Sequence, residues 1–343
     1  MKLNNKGFAI TAVLYGLLIL FVVLVSSYLL VLSAKKDRID NIVSEIENSY
    51  YGAENNYIMN LKDYICDLYT NANKTVVTNN GINYNYAPSV NLMNDRLGDP
   101  TLDADSGNIR YYGADPNNYI YFNCSNYYNQ SSSTCEIWRI IGIVDDKVKI
   151  IRDRTIGDYA FDGVYYSNDW SNSSLKDMLN ENGTYYSELE RKNSQTPELI
   201  SNSTWYTNDM SYDGIYADQS YIGERTGNST WIGKIALAYP SDYGYSADLK
   251  GCTNTLSTYA DETCISVNWL TKLFTVDDSY WLITPFSSAS DIVWFIDNGY
   301  IFAGGHDTSD LRGVLPVLYL DSTINIASNT DGSDTNPYRI SLR

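Results

Sequence analysis

Five cysteines and one histidine are the side chains of this chain best suited to chemistry. Their spacing decides between redox, metal and nucleophilic roles. Cys124 and Cys135 enclose the polar stretch CSNYYNQSSSTC, and Cys252 and Cys264 enclose CTNTLSTYADETC. Four cysteines allow three pairings, and closure of each loop on its sequence neighbour is the expectation. Such a closure contributes up to about 3 kcal/mol, by removing loop freedom from the unfolded chain. Zinc is the competing chemistry. It calls for closely spaced Cys and His ligands, whereas C-x2-C spacing is missing and the histidine lies elsewhere. Cys66 is left over, and it is read as a buried free thiol, with an intermolecular bridge as the alternative.

His306, with Asp307 beside it in AGGHDTSD, has the parts of a general base. No G-x-S-x-G elbow accompanies it, and the sequence shows no triad partners for it. It reads as a loop histidine in a Gly-rich turn. Asp103, Asp105, Asp331 and Asp334 offer oxygens to calcium, but without the twelve-residue EF-hand spacing. Among 41 acidic residues some carboxylate pair always arises, so pairing alone is no sign of glycoside hydrolysis. A P-loop is absent. No catalytic residue, metal ligand or cofactor is assigned, and the expectation is a protein that is not an enzyme.

Tyrosine is the compositional oddity, with 32 residues against 8 phenylalanines. Tyr among Ser, Asn, Asp and Gly is the vocabulary of binding loops, giving contact area at low rotamer cost. The plainer reading is Tyr standing in for Phe. The stretch between Trp205 and Tyr245 is the best candidate for a ligand face, with Trp205, Tyr206, Tyr212, Tyr216, Tyr243 and Tyr245 as its residues.

The elements that must carry these residues begin with an apolar run. Residues 8–34 hold no charged side chain. As one helix the run reaches about 40 Å, against a bilayer core of roughly 30 Å, so a single-pass transmembrane helix is expected. Lys2 and Lys6 on one side nearly balance Lys35, Lys36 and Arg38 against Asp37 on the other, which leaves the positive-inside rule undecided. The net charge of −17 breaks the tie. An acidic body is repelled by anionic leaflets and nucleic acid alike. The expected placement is the cell membrane, with the N-terminus cytoplasmic, the C-terminal domain extracellular and no nucleic-acid partner.

Beyond the membrane run, Ile39, Ile42, Val43, Ile46 and Tyr50 recur at helical steps, as do Tyr57, Ile58, Leu61, Ile65 and Leu68. Residues 35–69 are therefore read as an amphipathic stem. Residues 70–107, rich in Asn, Asp, Gly and Ser, read as a connector in which Val90 and Leu92 seat a short element. The body is 108–343, and most of its patterns are strand-like. WRIIGIVDDKVKIIRD reads as a hairpin turning at Asp145-Asp146. SYWLITP, DIVWFIDNGYIFAGG and GVLPVLYLDS read as further strand regions, with a turn at Asp297-Asn298-Gly299. SSLKDMLNENG reads as a helix capped by Ser173 or Ser174 and stopped at Gly183.

Two resemblances follow from these segments. Asn5-Lys6-Gly7-Phe8 before a long apolar run resembles a type IV prepilin N-terminus. The resemblance implies cleavage between Gly7 and Phe8 by a prepilin peptidase, a leader of residues 1–7, and pilin subunits as partners. Ala12 stands where pilins usually carry Glu, which points to a minor subunit or a plain anchor. In the body, DPNNYIYFN, CEIWRIIGIVDDKVKIIRD, WIGKIALAYPSDYGYSAD, YWLITP, VWFIDNGYI, GVLPVLYLDSTINI and NPYRI occur in order. That series resembles a family of uncharacterised bacterial surface domains whose closing part is C-type-lectin-like. The expected fold is α+β: a long N-terminal transmembrane and stem helix, then a disulfide-braced, mostly β, lectin-like domain. The expected function is non-catalytic recognition or adhesion by a membrane-anchored or pilus-associated protein, toward an extracellular glycan or protein. The alternative is a structural minor pilin or pseudopilin serving filament assembly or secretion.

Overall fold

The computed structural model describes residues 15, 17–29, 32, 35, 36, 59–211, 214–259, 261–273, 279–302, 307–327 and 329–341. The chain divides into two compact units, Met1–Asn56 and Tyr57–Arg343. In the first, residues 17–29 are helical and exposed. A helix of that length reaches about 20 Å, short of the roughly 30 Å hydrocarbon core. Among the described residues no helix is long and apolar enough to cross a membrane. This overturns the expected long transmembrane and stem helix, and with it the single-pass membrane placement. A charge-free run of sequence implies a span only when all of it forms one helix, and the described helix covers part of the run. Gly7, Phe8 and the stem residues 39–50 lie outside the described residues.

The second unit is a mixture of sheets and short helices. Its largest sheet has nine strands. Six of them are β1 (Thr75–Asn79), β2 (Ile82–Ala87), β3 (Leu92–Asn94), β4 (Ile109–Tyr111), β5 (Tyr119–Phe122) and β6 (Glu136–Val144). The others are β7 (Lys147–Arg152), β8 (Ile235–Ala236) and β9 (Val317–Tyr319). The order is β8-β9-β7-β6-β4-β3-β2-β1, all antiparallel, with β5 also on β6. β6 is the spine, buried from Trp138 to Val144. One of its edges takes β7. Its other edge is shared, β5 pairing with residues 136–139 and β4 with Ile143 and Gly142. Gly142 is required there, because a Cβ at that position would sit 2.1 Å from the carbonyl oxygen of Ile109. The β6–β7 turn is Asp145-Asp146, both at positive φ (51° and 67°), the backbone that a two-residue hairpin needs.

β1 to β3 fall in the segment expected to be a connector. They instead bury Val77, Ile82, Tyr84, Tyr86, Leu92 and Met93, so the compact unit starts well before residue 108. A five-stranded sheet runs Tyr300–Phe302, Val293–Asp297, Ser279–Pro285, Arg312–Gly313, Asp158–Tyr159, with one parallel pair at Tyr280 and Gly313. Asn298 and Gly299 make the expected turn at positive φ. Met59–Asn60, Asn325–Ile326 and Ile340–Ser341 form a three-stranded sheet.

The helices are α1 (Leu61–Asn71), α2 (Ser174–Leu179), α3 (Thr184–Lys192), α4 (Ala217–Arg225), α5 (Pro240–Tyr245) and α6 (Glu262–Ile265). α1 buries Leu61, Ile65 and Tyr69 along one face, and Asn60 caps it by accepting from Lys62 N at 3.0 Å. Ser173 caps α2, accepting from Lys176 N at 3.1 Å, as the sequence predicts. Cys66 on α1 is half-buried and free, and burial pushes its thiol above the usual range. Such a thiol stays protonated and inert.

Charged side chains lie inside this apolar frame. Arg110 of β4 donates from Nε to Asp95 at 2.7 Å and from Nη1 to Asp242 of α5 at 2.9 Å. Lys149 of β7 donates to the other oxygen of Asp242, which also accepts from Tyr239 N at 3.0 Å. All four charged side chains are at most 1% exposed. Beside them the buried Glu224 of α4 accepts from Ser220 Oγ at 2.8 Å and from Ser241 N at 2.8 Å and Oγ at 2.6 Å. Burial pushes Glu224 upward, above the usual carboxylate range. Burial opposes ionisation of Asp242 too, yet Lys149 and Arg110 outweigh it and hold its pKa below that range.

Removing one member of a buried charge set strands the others without water. Asp242→Asn is therefore expected to destabilise by about 3–5 kcal/mol in urea unfolding, and a loss below about 1 kcal/mol would contradict this account. The sign with pH follows. A carboxylate whose folded pKa is depressed stabilises fully above its unfolded value of about 3.9, and that contribution fades as pH falls toward the folded value. The acid limb of the wild-type stability curve should therefore be steeper than that of the Asn variant.

Candidate functional site

The aromatics expected to face a ligand are mostly enclosed. Trp205, Tyr243 and Tyr245 are 0% exposed. Tyr206 and Tyr216 are half-buried, and Tyr212 lies outside the described residues. Their partners are internal. Trp205 donates from Nε1 to Gly233 O at 3.1 Å, and Lys149 Nζ lies 5.5 Å from its ring. The Tyr245 ring lies 5.0 Å from the Arg110 guanidinium, and the Tyr206 ring lies 4.8 Å from that of Arg225. Tyr243 donates its hydroxyl to Gly299 O at 2.7 Å. The backbone N–H of Tyr216 donates to the Gln219 side chain at 3.0 Å, at the start of α4. Cation–π contact with desolvated cations is worth about 2 kcal/mol or more. The rings of Trp205, Tyr206 and Tyr245 thus lie against the chain's own cations, and a ligand face made of Trp205, Tyr243 and Tyr245 is excluded by their burial.

The other sequence candidates divide plainly. Cys124–Cys135 and Cys252–Cys264 are disulfides, as expected. His306 lies outside the described residues. Asp331 accepts from Ser333 N at 3.0 Å, and Asp105 accepts from Tyr69 Oη at 2.7 Å and Asn85 Nδ2 at 3.1 Å. Among the described residues, no cluster of three or more His, Cys, Asp or Glu side chains is placed to hold a metal ion.

Open polar space lies elsewhere, beside the first disulfide. A cleft of about 530 Å³ is bounded by the ends of β5, β6 and β7, the following loop, and helices α2 and α3. Register explains its floor. Trp138 pairs with Arg152, and Glu136 lies two residues along from Trp138 on the same face of the sheet. The diagonal brings Arg152 Nε to Glu136 Oε2 at 2.8 Å. Phe122 is opposite Glu136, and Asn123 follows at φ 49°, a left-handed conformation that Asn tolerates. Its Nδ2 donates to Glu136 at 2.7 Å. Lys192, at the end of α3, donates to the same carboxylate at 3.2 Å.

The electrostatics follow from these partners. Burial alone would raise Glu136, but Arg152 and Lys192 outweigh it and hold its pKa below the usual range. An ionised, triply bonded carboxylate is a poor proton donor. Arg152 gives Nη1 to the carbonyls of Arg154 and Thr155 at 2.7 and 2.8 Å. Tyr185 of α3 lines the cleft while only 8% exposed, and its buried hydroxyl has no hydrogen-bond partner among the described residues. The Oδ1 of Asn123, a residue 4% exposed, has none either. Burial pushes the Tyr185 phenol far above its ordinary value, so it keeps its proton. Tyr159 also lines the cleft, with 39% of its surface exposed. Its carbonyl is pinned by Trp281 Nε1 at 2.8 Å, which fixes the backbone that carries the exposed ring.

Sequence reasoning passed over this group. The hairpin alone did not announce it: a turn at Asp145-Asp146 by itself sets Arg152 opposite Arg139, and only the bulge between Ile140 and Gly142 moves Arg152 opposite Trp138 and puts Glu136 on the diagonal. A second hollow, lined by Met59, Tyr64, Leu68, Ala72, Val90 and Ile326 among others, is mostly apolar and offers few directed polar groups.

Cys124 and Cys135 directly follow and precede the cleft residues Asn123 and Glu136. Replacing both cysteines by serine is expected to cost up to about 3 kcal/mol in chemical unfolding. It should also raise hydrogen exchange at Asn123 and Glu136. Unchanged exchange there would mean that the bridge does not hold the cleft floor. In comparisons with known proteins, the chain matches no family model, no curated protein and no solved structure, so the cleft is interpreted from its own chemistry.

Proposed function

We propose that this is a non-catalytic recognition protein of an oxidising, extracytoplasmic environment, and that the cleft floored by Glu136 and Arg152 holds its ligand. The observation that carries the reading is an open polar cleft of about 530 Å³ whose floor holds charged side chains in fixed positions: Arg152 and Lys192 pair with Glu136, and Arg152 Nη2 makes no hydrogen bond among the described residues. Prepositioned polar groups around open space are what a small-ligand site presents.

Two further features support it. Ligand sites combine a contact surface with a few directed polar groups, and the exposed ring of Tyr159 is such a surface beside this floor. Disulfides persist where conditions are oxidising, and one of the two bridges braces the cleft. The doubly ion-paired Glu136 lacks the raised pKa of a general acid, which supports binding without turnover. With a net charge of −17, nucleic acid is a poor ligand class.

The test is a glycan array probed with the folded protein and with Tyr159→Ala. The expected outcome is retention of particular glycans, unchanged in mass, with the signal lost in the variant and the melting temperature kept. Cleavage products in mass spectra, or binding indifferent to Tyr159→Ala, would contradict the proposal.

A further inference from the structure

We infer that the cleft selects an acidic saccharide, a sugar bearing a carboxylate or comparable anionic group as well as free hydroxyls. This rests on the reading of the cleft as a ligand site. Charge is the first argument. The chain carries −17 overall, yet the cleft is lined by three cations, Arg152, Arg191 and Lys192, against two carboxylates, Glu136 and Glu188. Glu136 is already neutralised by Arg152 and Lys192. Arg191 is exposed and makes no ion pair among the described residues. A local cationic site on an acidic surface draws an anion to one place and repels it from the rest.

Hydrogen-bonding capacity is the second argument. Arg152 spends Nε on Glu136 and Nη1 on two backbone carbonyls. Its Nη2 makes no hydrogen bond among the described residues and remains to donate to a ligand oxygen. The guanidinium is held in place by those bonds, so little freedom is lost when it engages an anion. Arg152 and Arg191 thus supply donors for an acidic group. Tyr159 supplies a flat, exposed face for the apolar side of a sugar ring. A neutral sugar satisfies that face and leaves the cations unanswered. A simple inorganic anion does the reverse. An acidic sugar satisfies both sets at once, and the cleft of about 530 Å³ has the size of a small-ligand site.

The test compares a galacturonic acid trisaccharide with its neutral galactose counterpart by calorimetry, using the wild type, Arg191→Ala and Arg152→Lys. The lysine variant keeps a charge for Glu136 but removes the fork. The expected result is tighter binding of the acidic sugar by tenfold or more at low salt, with the difference shrinking as salt is raised. Each variant should lose about tenfold or more toward the acidic sugar, a larger loss than toward the neutral one. Equal or better binding of the neutral sugar, still abolished by Tyr159→Ala, would overturn the acidic selection and leave the cleft as a saccharide site. Binding of neither sugar would also overturn the inference. The array signal and its dependence on Tyr159 then decide separately whether the cleft is a binding site.

Discussion

The second unit depends on one constraint: Asp242 must neutralise two buried cations at once. Its carboxylate answers Arg110 with one oxygen and Lys149 with the other. These three residues come from β4, β7 and α5, elements far apart in the chain. Moving ions out of water costs several kcal/mol each unless the geometry is good and the remaining polar atoms are satisfied. Here Asp95 takes Nε of Arg110 and the Tyr239 N–H completes Asp242, while Arg110 Nη2 has no hydrogen-bond partner among the described residues and the guanidinium lies against the Tyr245 ring. The net gain in stability over an apolar core of the same shape is small by that reasoning. The gain in definition is larger, since few other packings of these helices on the sheet satisfy every charge.

That constraint explains the tyrosines. Lys149 lies 4.3 Å from the Tyr239 ring and 5.5 Å from those of Trp205 and Tyr319, and Arg225 lies 3.7 Å from that of Tyr221. Tyr serves this core better than Phe, because its hydroxyl adds a polar contact to the ring face that a buried cation needs: Tyr239 Oη accepts from Tyr206 N at 2.7 Å and Tyr221 Oη from Asn108 Nδ2 at 3.0 Å. The abundance of Tyr was legible in the sequence, but its destination was not. A Tyr looks alike in sequence whether its ring meets solvent or a lysine far away along the chain.

Local signals fared better than distant ones. The β6–β7 hairpin, the turn at Asn298-Gly299, the Ser173 cap and both disulfides are set by residues within a few positions or one short loop of each other, and each stands as expected. The strands of 75–94 were hidden because Asn and Thr fill their outward positions, leaving the alternation of Ile82, Tyr84 and Tyr86 too faint beside them. The cleft was hardly legible. Glu136 and Arg152 belong to the hairpin, but a bulge between Ile140 and Gly142 is what puts them on one face, and Lys192 and Tyr185 arrive on α3 through tertiary packing that no spacing announces. The apolar run of 8–34 shows the opposite failure, a strong local signal that overstated the helix.

The three-stranded sheet has a consequence of another kind. Met59–Asn60 pairs with Asn325–Ile326, which pairs with Ile340–Ser341. Two strand spacings separate the outer pair, about 10 Å. The entry and exit of the second unit are therefore neighbours, and Asn60 Nδ2 ties the entry strand to the carbonyls of Ser322 and Ile324 that lead into the middle strand. A module with adjoining ends can be spliced into a loop of another protein without prising its host apart, and its own ends can be joined and reopened elsewhere. Tension applied between those ends would load this small sheet first and spare the nine-stranded one behind it.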